Sequence, residues 1–143
     1  MRKKRQPSGI PVSAEDPRLR DQIEIVGVLR DVIYARAAND ELMALDFLNS
    51  IASPGRTDFK DMRKIKELCR RLAQNGMISN RENFVRERNE IWGLKSHQVR
   101  IGAFQLGRIW FLTHGFIKKC DRWPEEELNR ADEIRIQQLK KLG

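Results

Sequence analysis

Two cysteines, one tyrosine and two histidines are all that this 143-residue chain holds of those types, and the scarcity removes several function classes. Cys69 and Cys120 have no nearby ligand partners, so neither a zinc site nor a disulfide framework is expected. A reducing, cytoplasmic setting fits. Cys69 falls on an apolar helical stripe and reads as core. No apolar run approaches the ~18 residues of a membrane span. None follows the N-terminal cations Arg2, Lys3, Lys4 and Arg5 either, so neither a membrane partner nor a secretory signal is expected. A phosphate-binding Gly-rich loop, a Gly-x-Ser-x-Gly elbow and a His/Asp/Glu cluster at metal-ligand spacing are all missing. No metal and no small-molecule cofactor are expected, and no internal repeat is visible.

What the chain does have is positive charge: 28 Lys and Arg against 20 Asp and Glu, a net +8. Such a surface suits nucleic acid, acidic protein or anionic membrane, and composition alone does not choose among them. A hydrophobic content of 40% over 143 residues supports one domain with one modest core. Residues 1–21 hold Pro7, Gly9, Pro11 and Pro17, many charges and few bulky apolar groups. They are predicted to be a flexible basic arm, either a passive tail or a source of extra phosphate contacts. The single folded domain is then 22–143.

Hydrophobic periodicity orders that domain. The β-branched stretch 22–36 contains a first strand. Residues 39–52 read as a helix capped by Asn39 or Asp40, with Ala44, Leu45, Leu48, Ile51 and Ala52 on one face. Ser53-Pro54-Gly55 ends it. A second helix starts at a Thr57 or Asp58 cap, repeats Phe59, Met62, Ile65, Cys69 and Leu72, and stops at Asn75-Gly76. Its opposite face carries Lys60, Arg63, Lys64, Lys66, Arg70 and Arg71. That face reads as solvated, with nucleic-acid contact as the sharper alternative. Strands are predicted over 91–97, 99–104 and 108–117, with a tight turn at Gly107. Pro124 is expected to take the first helical position of a last helix, with Glu125, Glu126 and Glu127 favouring the positive end of its dipole. Leu128, Ala131, Ile134 and either Gln138 or Leu139 line its inner face. Runs of one element type argue for an α+β fold: an N-terminal strand and a helical hairpin on a small antiparallel, mixed-edge sheet, with a C-terminal helix.

Alternation places Gly93, Lys95 and His97 on one side of their strand, and Arg100, Gly102 and Phe104 on one side of the next. The glycines leave room above the sheet. There Lys95, Arg100, Lys118 and Lys119 are expected to converge on a cleft against the last helix and to hold several phosphates. His97, Arg108, Phe104 and Arg88 complete the RNA-facing set. His97 and His114 are the candidate proton carriers, although His114 within an apolar strand reads first as a hydrogen-bonded core residue. Phe104 or Trp92 could stack on an unpaired base, with core packing the plainer reading for Trp92 and Trp110. RNA suits a cationic site because its 2′-hydroxyl is an internal nucleophile. The protein need only align it, move its proton and stabilise the extra negative charge.

Several blocks resemble the RelE/ParE superfamily of toxins, in its HigB-like, phage-derived branch. They are Ala44-Leu45-Asp46-Phe47-Leu48-Asn49-Ser50-Ile51, Leu68 through Leu72 to Gly76, Ile91-Trp92-Gly93-Leu94-Lys95, and Val99-Arg100-Ile101. The closest is Leu112-Thr113-His114-Gly115-Phe116-Ile117-Lys118-Lys119, with Pro124, Glu127 and Ala131 behind it. The resemblance spans 40–139. It implies the toxin of a type II toxin–antitoxin pair: a ribosome-dependent mRNA endoribonuclease, neutralised by an antitoxin that often carries a helix-turn-helix DNA-binding domain. Arg100 would then clamp the scissile phosphate. Lys95 would stand for the strand-end arginine, and Lys118 and Lys119 would take the transition-state cation positions. The chain departs from the pattern in known places. Gly93 and Lys95 replace the Glu and Arg of a Glu-Leu-Arg strand, Val99 replaces an aromatic residue, and Trp123 stands where a threonine cap is usual. No catalytic tyrosine lies near the C-terminus, since Tyr34 is far upstream. A ParE-like inhibitor of DNA gyrase and a non-catalytic RNA- or protein-binding module are the rival functions of the same fold.

Overall fold

The computed structural model describes residues 13–143. A 3-10 turn, Pro17–Gln22, leads into a hairpin of β1 (Ile23–Val26) and β2 (Asp31–Tyr34). Helices α1 (Met43–Ser50) and α2 (Phe59–Asn75) follow. Then come β3 (Phe84–Arg88), β4 (Ile91–Ser96), β5 (Val99–Leu106), β6 (Ile109–Ile117) and the closing helix α3 (Glu125–Leu142). The six strands form one sheet in the order β1-β2-β6-β5-β4-β3. The β2–β6 pair is parallel and the remaining pairs are antiparallel. The architecture is therefore α+β with a mixed sheet.

Helices cover both faces, so β6 at the centre is apolar almost throughout. On one face Leu48, Ile65, Leu68, Cys69 and Leu72 of the helical hairpin meet Val32, Leu94, Ile101, Trp110 and Leu112. On the other, Ala131, Ile134 and Leu142 of α3 meet Ile33, Ile91, Phe104, Ile109, Phe111 and Phe116. Cys69 is buried as its position on the helical stripe predicts. Gly76 closes α2 at φ 81°, its N–H returning to Leu72 O at 2.8 Å. Gly107 turns β5 into β6 at φ 58°, a conformation that costs glycine little. Gln138, rather than Leu139, takes the fully buried place on α3. It accepts from Gln22 Nε2 and from Arg36 N, each at 2.8 Å.

Four local expectations are corrected. The stretch 22–36 holds two strands, because the turn between them docks on the end of α2 through Leu29 N and Arg30 N to Ala73 O. Helix α1 starts at Met43; residues 37–41 instead close a turn with Asp40 at φ 67°. The expected arm 1–21 is structured in its later part. Leu19 is wholly buried against the α3 face, and Ala14 N donates to Asp31 at 2.7 Å. The first twelve residues of that arm lie outside the described residues. Strand β3 was not expected at all. Its Arg86-Glu87-Arg88 run lacks apolar alternation, and a bulge between Arg86 and Arg88 breaks its register.

Candidate active site

Three adjacent strands bring three cations to one end of the sheet. Lys95 and Arg100 face each other directly across β4 and β5. Lys118 follows β6, held there by its N–H to Gln98 O at 2.7 Å. All three act electrostatically on one carboxylate, Glu87 of β3. Burial raises the Glu87 carboxyl above its ordinary range, and the cations, Lys95 first, oppose the rise. Arg100 is almost fully buried. Its Nη1 donates to the carbonyls of His97 and Val99. Desolvation pulls its pKa down while Glu87 pushes it up. Neither Arg100 nor Lys118 forms an ion pair among the described residues. Lys119 is exposed one residue further on and is not among the charges that act on Glu87.

The room expected above Gly93 and Gly102 is filled. A Cβ at residue 93 would lie 2.8 Å from Trp123 Cζ2, and one at residue 102 would lie 2.3 Å from Thr113 Oγ1 and 3.4 Å from Trp123 Cη2. The indole of Trp123, just ahead of α3, thus plugs the cleft between sheet and helix. Phe104 is buried beneath α3 and stacks on Phe111 at 5.0 Å, so it is no base platform. Trp92 lies on the opposite face, stacked on Phe84 at 5.0 Å.

Two arginines assigned to RNA are committed elsewhere. Arg108 reaches buried Asp31 at 3.2 Å and the carbonyls of Gly27, Val28 and Leu29, which ties down the β1–β2 turn. Arg88 bonds Glu125, Asn129 and Asp132 at 2.8 to 2.9 Å and pins β3 to α3. His97 also leaves the expected side. Its φ of 51° in the turn after β4 swings the ring toward α2, where Nδ1 lies 2.7 Å from Asp61 Oδ1. Ser96 Oγ donates to the same oxygen at 2.6 Å. These residues line a cavity of about 280 Å³ with Lys60 and Lys64 of α2. Part of the basic face read as plain solvated surface therefore lies beside the site.

His114 is buried. Nε2 is 3.0 Å from Glu127, Nδ1 is 3.2 Å from Thr113 Oγ1, and the ring stacks on Phe116. Desolvation, helped by the Arg130 charge, lowers its pKa to about 4, so it is neutral at neutral pH and acts as a core residue. The sole tyrosine, Tyr34, is buried and donates to Glu24. Among the described residues no three His, Cys, Asp or Glu side chains gather as metal ligands would, and no helix is long and apolar enough to cross a membrane.

Sequence reasoning missed Glu87, Asp61 and Ser96. Glu87 sits in a charged run with no periodicity to place it. Asp61 sits on the helix face that also carries Lys60 and Lys64, and nothing local links it to a turn 36 residues away.

The α+β arrangement of a six-stranded mixed sheet, a helical hairpin and a C-terminal helix is consistent with a RelE-like fold. Residues 56–135 match the family described as Phage derived protein Gp49-like (DUF891). That is more than half of the chain and includes every residue of the cation cluster. The chain belongs to this Gp49-like family, which is of the RelE/HigB toxin type. No curated protein matches it.

Proposed function

We propose that this protein is the toxin of a type II toxin–antitoxin system, of the HigB branch, and that it cuts mRNA on translating ribosomes in the cytoplasm. The observation that carries this reading is the meeting of Lys95, Arg100 and Lys118, from three strands, at one end of the sheet around Glu87. Cations grouped at one end of the sheet would together neutralise a bound phosphodiester and stabilise the extra charge of a pentacoordinate transition state. Arg100 would clamp the scissile phosphate. Held by backbone carbonyls through one nitrogen, it is fixed in place while its other nitrogens stay available for a fork to phosphate oxygens. The net charge of +8 favours approach to ribosomal RNA.

The partners in this reading are mRNA in the ribosome and a cognate antitoxin, expected to carry a helix-turn-helix DNA-binding domain. The test is expression of the full chain in bacteria with and without its neighbouring reading frame, with RNA ends mapped. The expected result is new 5′-hydroxyl ends inside translated codons, suppressed by the neighbour. Unchanged RNA ends together with lost gyrase supercoiling would replace the reading with gyrase inhibition.

A further inference from the structure

Glu87 lies outside every motif that points to phosphate chemistry. It reaches the site because β3 pairs with β4 and bulges between Arg86 and Arg88. A Cβ on residue 93 would lie 3.3 Å from Glu87 Oε2 and 2.8 Å from Trp123 Cζ2. Glycine at 93 thus makes way for a carboxylate and an indole at once. The Glu87 oxygens have three cations as electrostatic neighbours. Yet among the described residues no hydrogen bond or ion pair fixes them. The indole Nε1 of Trp123, on the ring carbon next to Cζ2, is also buried without a partner. A purely structural carboxylate in such a place would be expected to close on one of the arginines or lysines around it, as Asp31 does on Arg108. Glu87 is instead half-buried, uncommitted and within electrostatic range of three groups that favour its ionised form. Those are the conditions for a carboxylate that exchanges protons under working conditions.

We propose that Glu87 is the proton acceptor of this site, taking the 2′-hydroxyl proton of an RNA whose phosphate is held by Lys95, Arg100 and Lys118. The assignment rests on the endonuclease reading above. In the step, the O2′–H bond breaks and its proton passes to a Glu87 oxygen. The freed electron pair on O2′ forms a bond to phosphorus while the bond from phosphorus to O5′ breaks. The departing O5′ takes a proton from a lysine ammonium of the cluster, and the Glu87 carboxylic acid returns one to that lysine. The products are a 2′,3′-cyclic phosphate and a 5′-hydroxyl, and no atom changes oxidation state.

The experiment measures single-turnover cleavage of a defined mRNA on bacterial ribosomes against pH. It compares the full chain with Glu87→Gln and Glu87→Asp. Binding is measured in parallel on the same mRNA carrying a 2′-O-methyl at the cleaved position, which cannot react. The wild-type rate is expected to rise with pH along an acid limb. Its midpoint should lie above the ordinary glutamate range, because burial outweighs the cations. Glu87→Gln is expected to lose about 10²- to 10⁴-fold in rate and to lose the acid limb, while binding the blocked mRNA at least as tightly as wild type. Glu87→Asp is expected to keep the limb at a reduced rate. If Glu87→Gln cuts as fast as wild type with the same pH profile, Glu87 is only an internal counter-ion and the proposal is wrong. If it loses binding together with cleavage, Glu87 merely holds the cluster together and the proposal is again wrong. A wild-type chain that cuts no ribosome-bound mRNA overturns the endonuclease reading itself, and the proton acceptor with it.

Discussion

Arg108 and Arg100 stand at opposite ends of the β5–β6 pair, and their surroundings differ in kind. Arg108 has a buried carboxylate, Asp31, and three carbonyls of the β1–β2 turn around it. Arg100 has two carbonyls on one nitrogen and, among the described residues, no carboxylate at ion-pair distance. One end of the sheet is closed by its own counter-charges. The other holds Lys95, Arg100 and Lys118, all of which act electrostatically on the uncommitted Glu87. In sequence both arginines are cations beside an apolar strand. What separates a brace from a ligand site is whether the fold delivers a partner, and a partner removes a cation from the pool that can bind RNA.

The sharpest way to break this contrast is to remove the partner at the closed end. Asp31→Ala leaves the Arg108 guanidinium half-covered and unpaired and strips acceptors from Ala14 N and Gly27 N. Loss of one member of a fully buried pair costs about 3–5 kcal/mol; with Arg108 35% exposed the cost is smaller, but the urea midpoint should still fall, and an unchanged midpoint would deny that this end is closed by charge. Next in size is a paired comparison. Arg100→Ala should lower cleavage about 10²- to 10³-fold, as loss of a transition-state donor does, with the urea midpoint close to wild type. Arg108→Ala should do the reverse, losing stability while each folded molecule keeps its activity. Equal loss of activity in both would erase the distinction between the two ends.

A smaller effect, confined to acid, sharpens the picture of the packed floor beneath the open end. His114 titrates near 6.5 when unfolded and at about 4 when folded. Between those values the unfolded chain binds the extra proton, so stability falls as pH drops from about 6.5 toward 4. The loss levels off below that, at roughly 3 kcal/mol in all. His114→Gln should abolish this part of the pH slope in urea titrations. A variant with the wild-type slope would show that His114 is not the group responsible.

The elements with strong periodicity were legible. The apolar stripe of α2 and its Asn75-Gly76 stop, the Gly107 turn and the long apolar β6 lie where the local pattern puts them, and α3 opens one residue after Pro124, which caps the helix from outside it. In the site, the meeting of Lys95 and Arg100 followed from alternation on paired strands. His97 escaped that rule because a left-handed turn residue no longer obeys strand alternation. Phe104 was readable as facing the α3 side, but not as buried there, because nothing local says that Trp123 and α3 lie above it. Strand β3 was invisible because an edge strand carrying Arg86, Glu87 and Arg88 buries too little to leave a pattern.

The sequence by itself determined the α+β class, the basic surface, and the strands that carry Lys95 and Arg100 and lead into Lys118. Those depend on periodicity and composition, which act over a few residues. Only the tertiary structure decided which cations are spent, because Arg88 and Arg108 meet their carboxylates 37 to 77 residues away in the chain. It also decided that Trp123 fills the space over two glycines, and that an acid from an unforeseen edge strand stands among the cations. Charge is a property of a residue, but its availability depends on neighbours brought together by packing, and no local pattern records them.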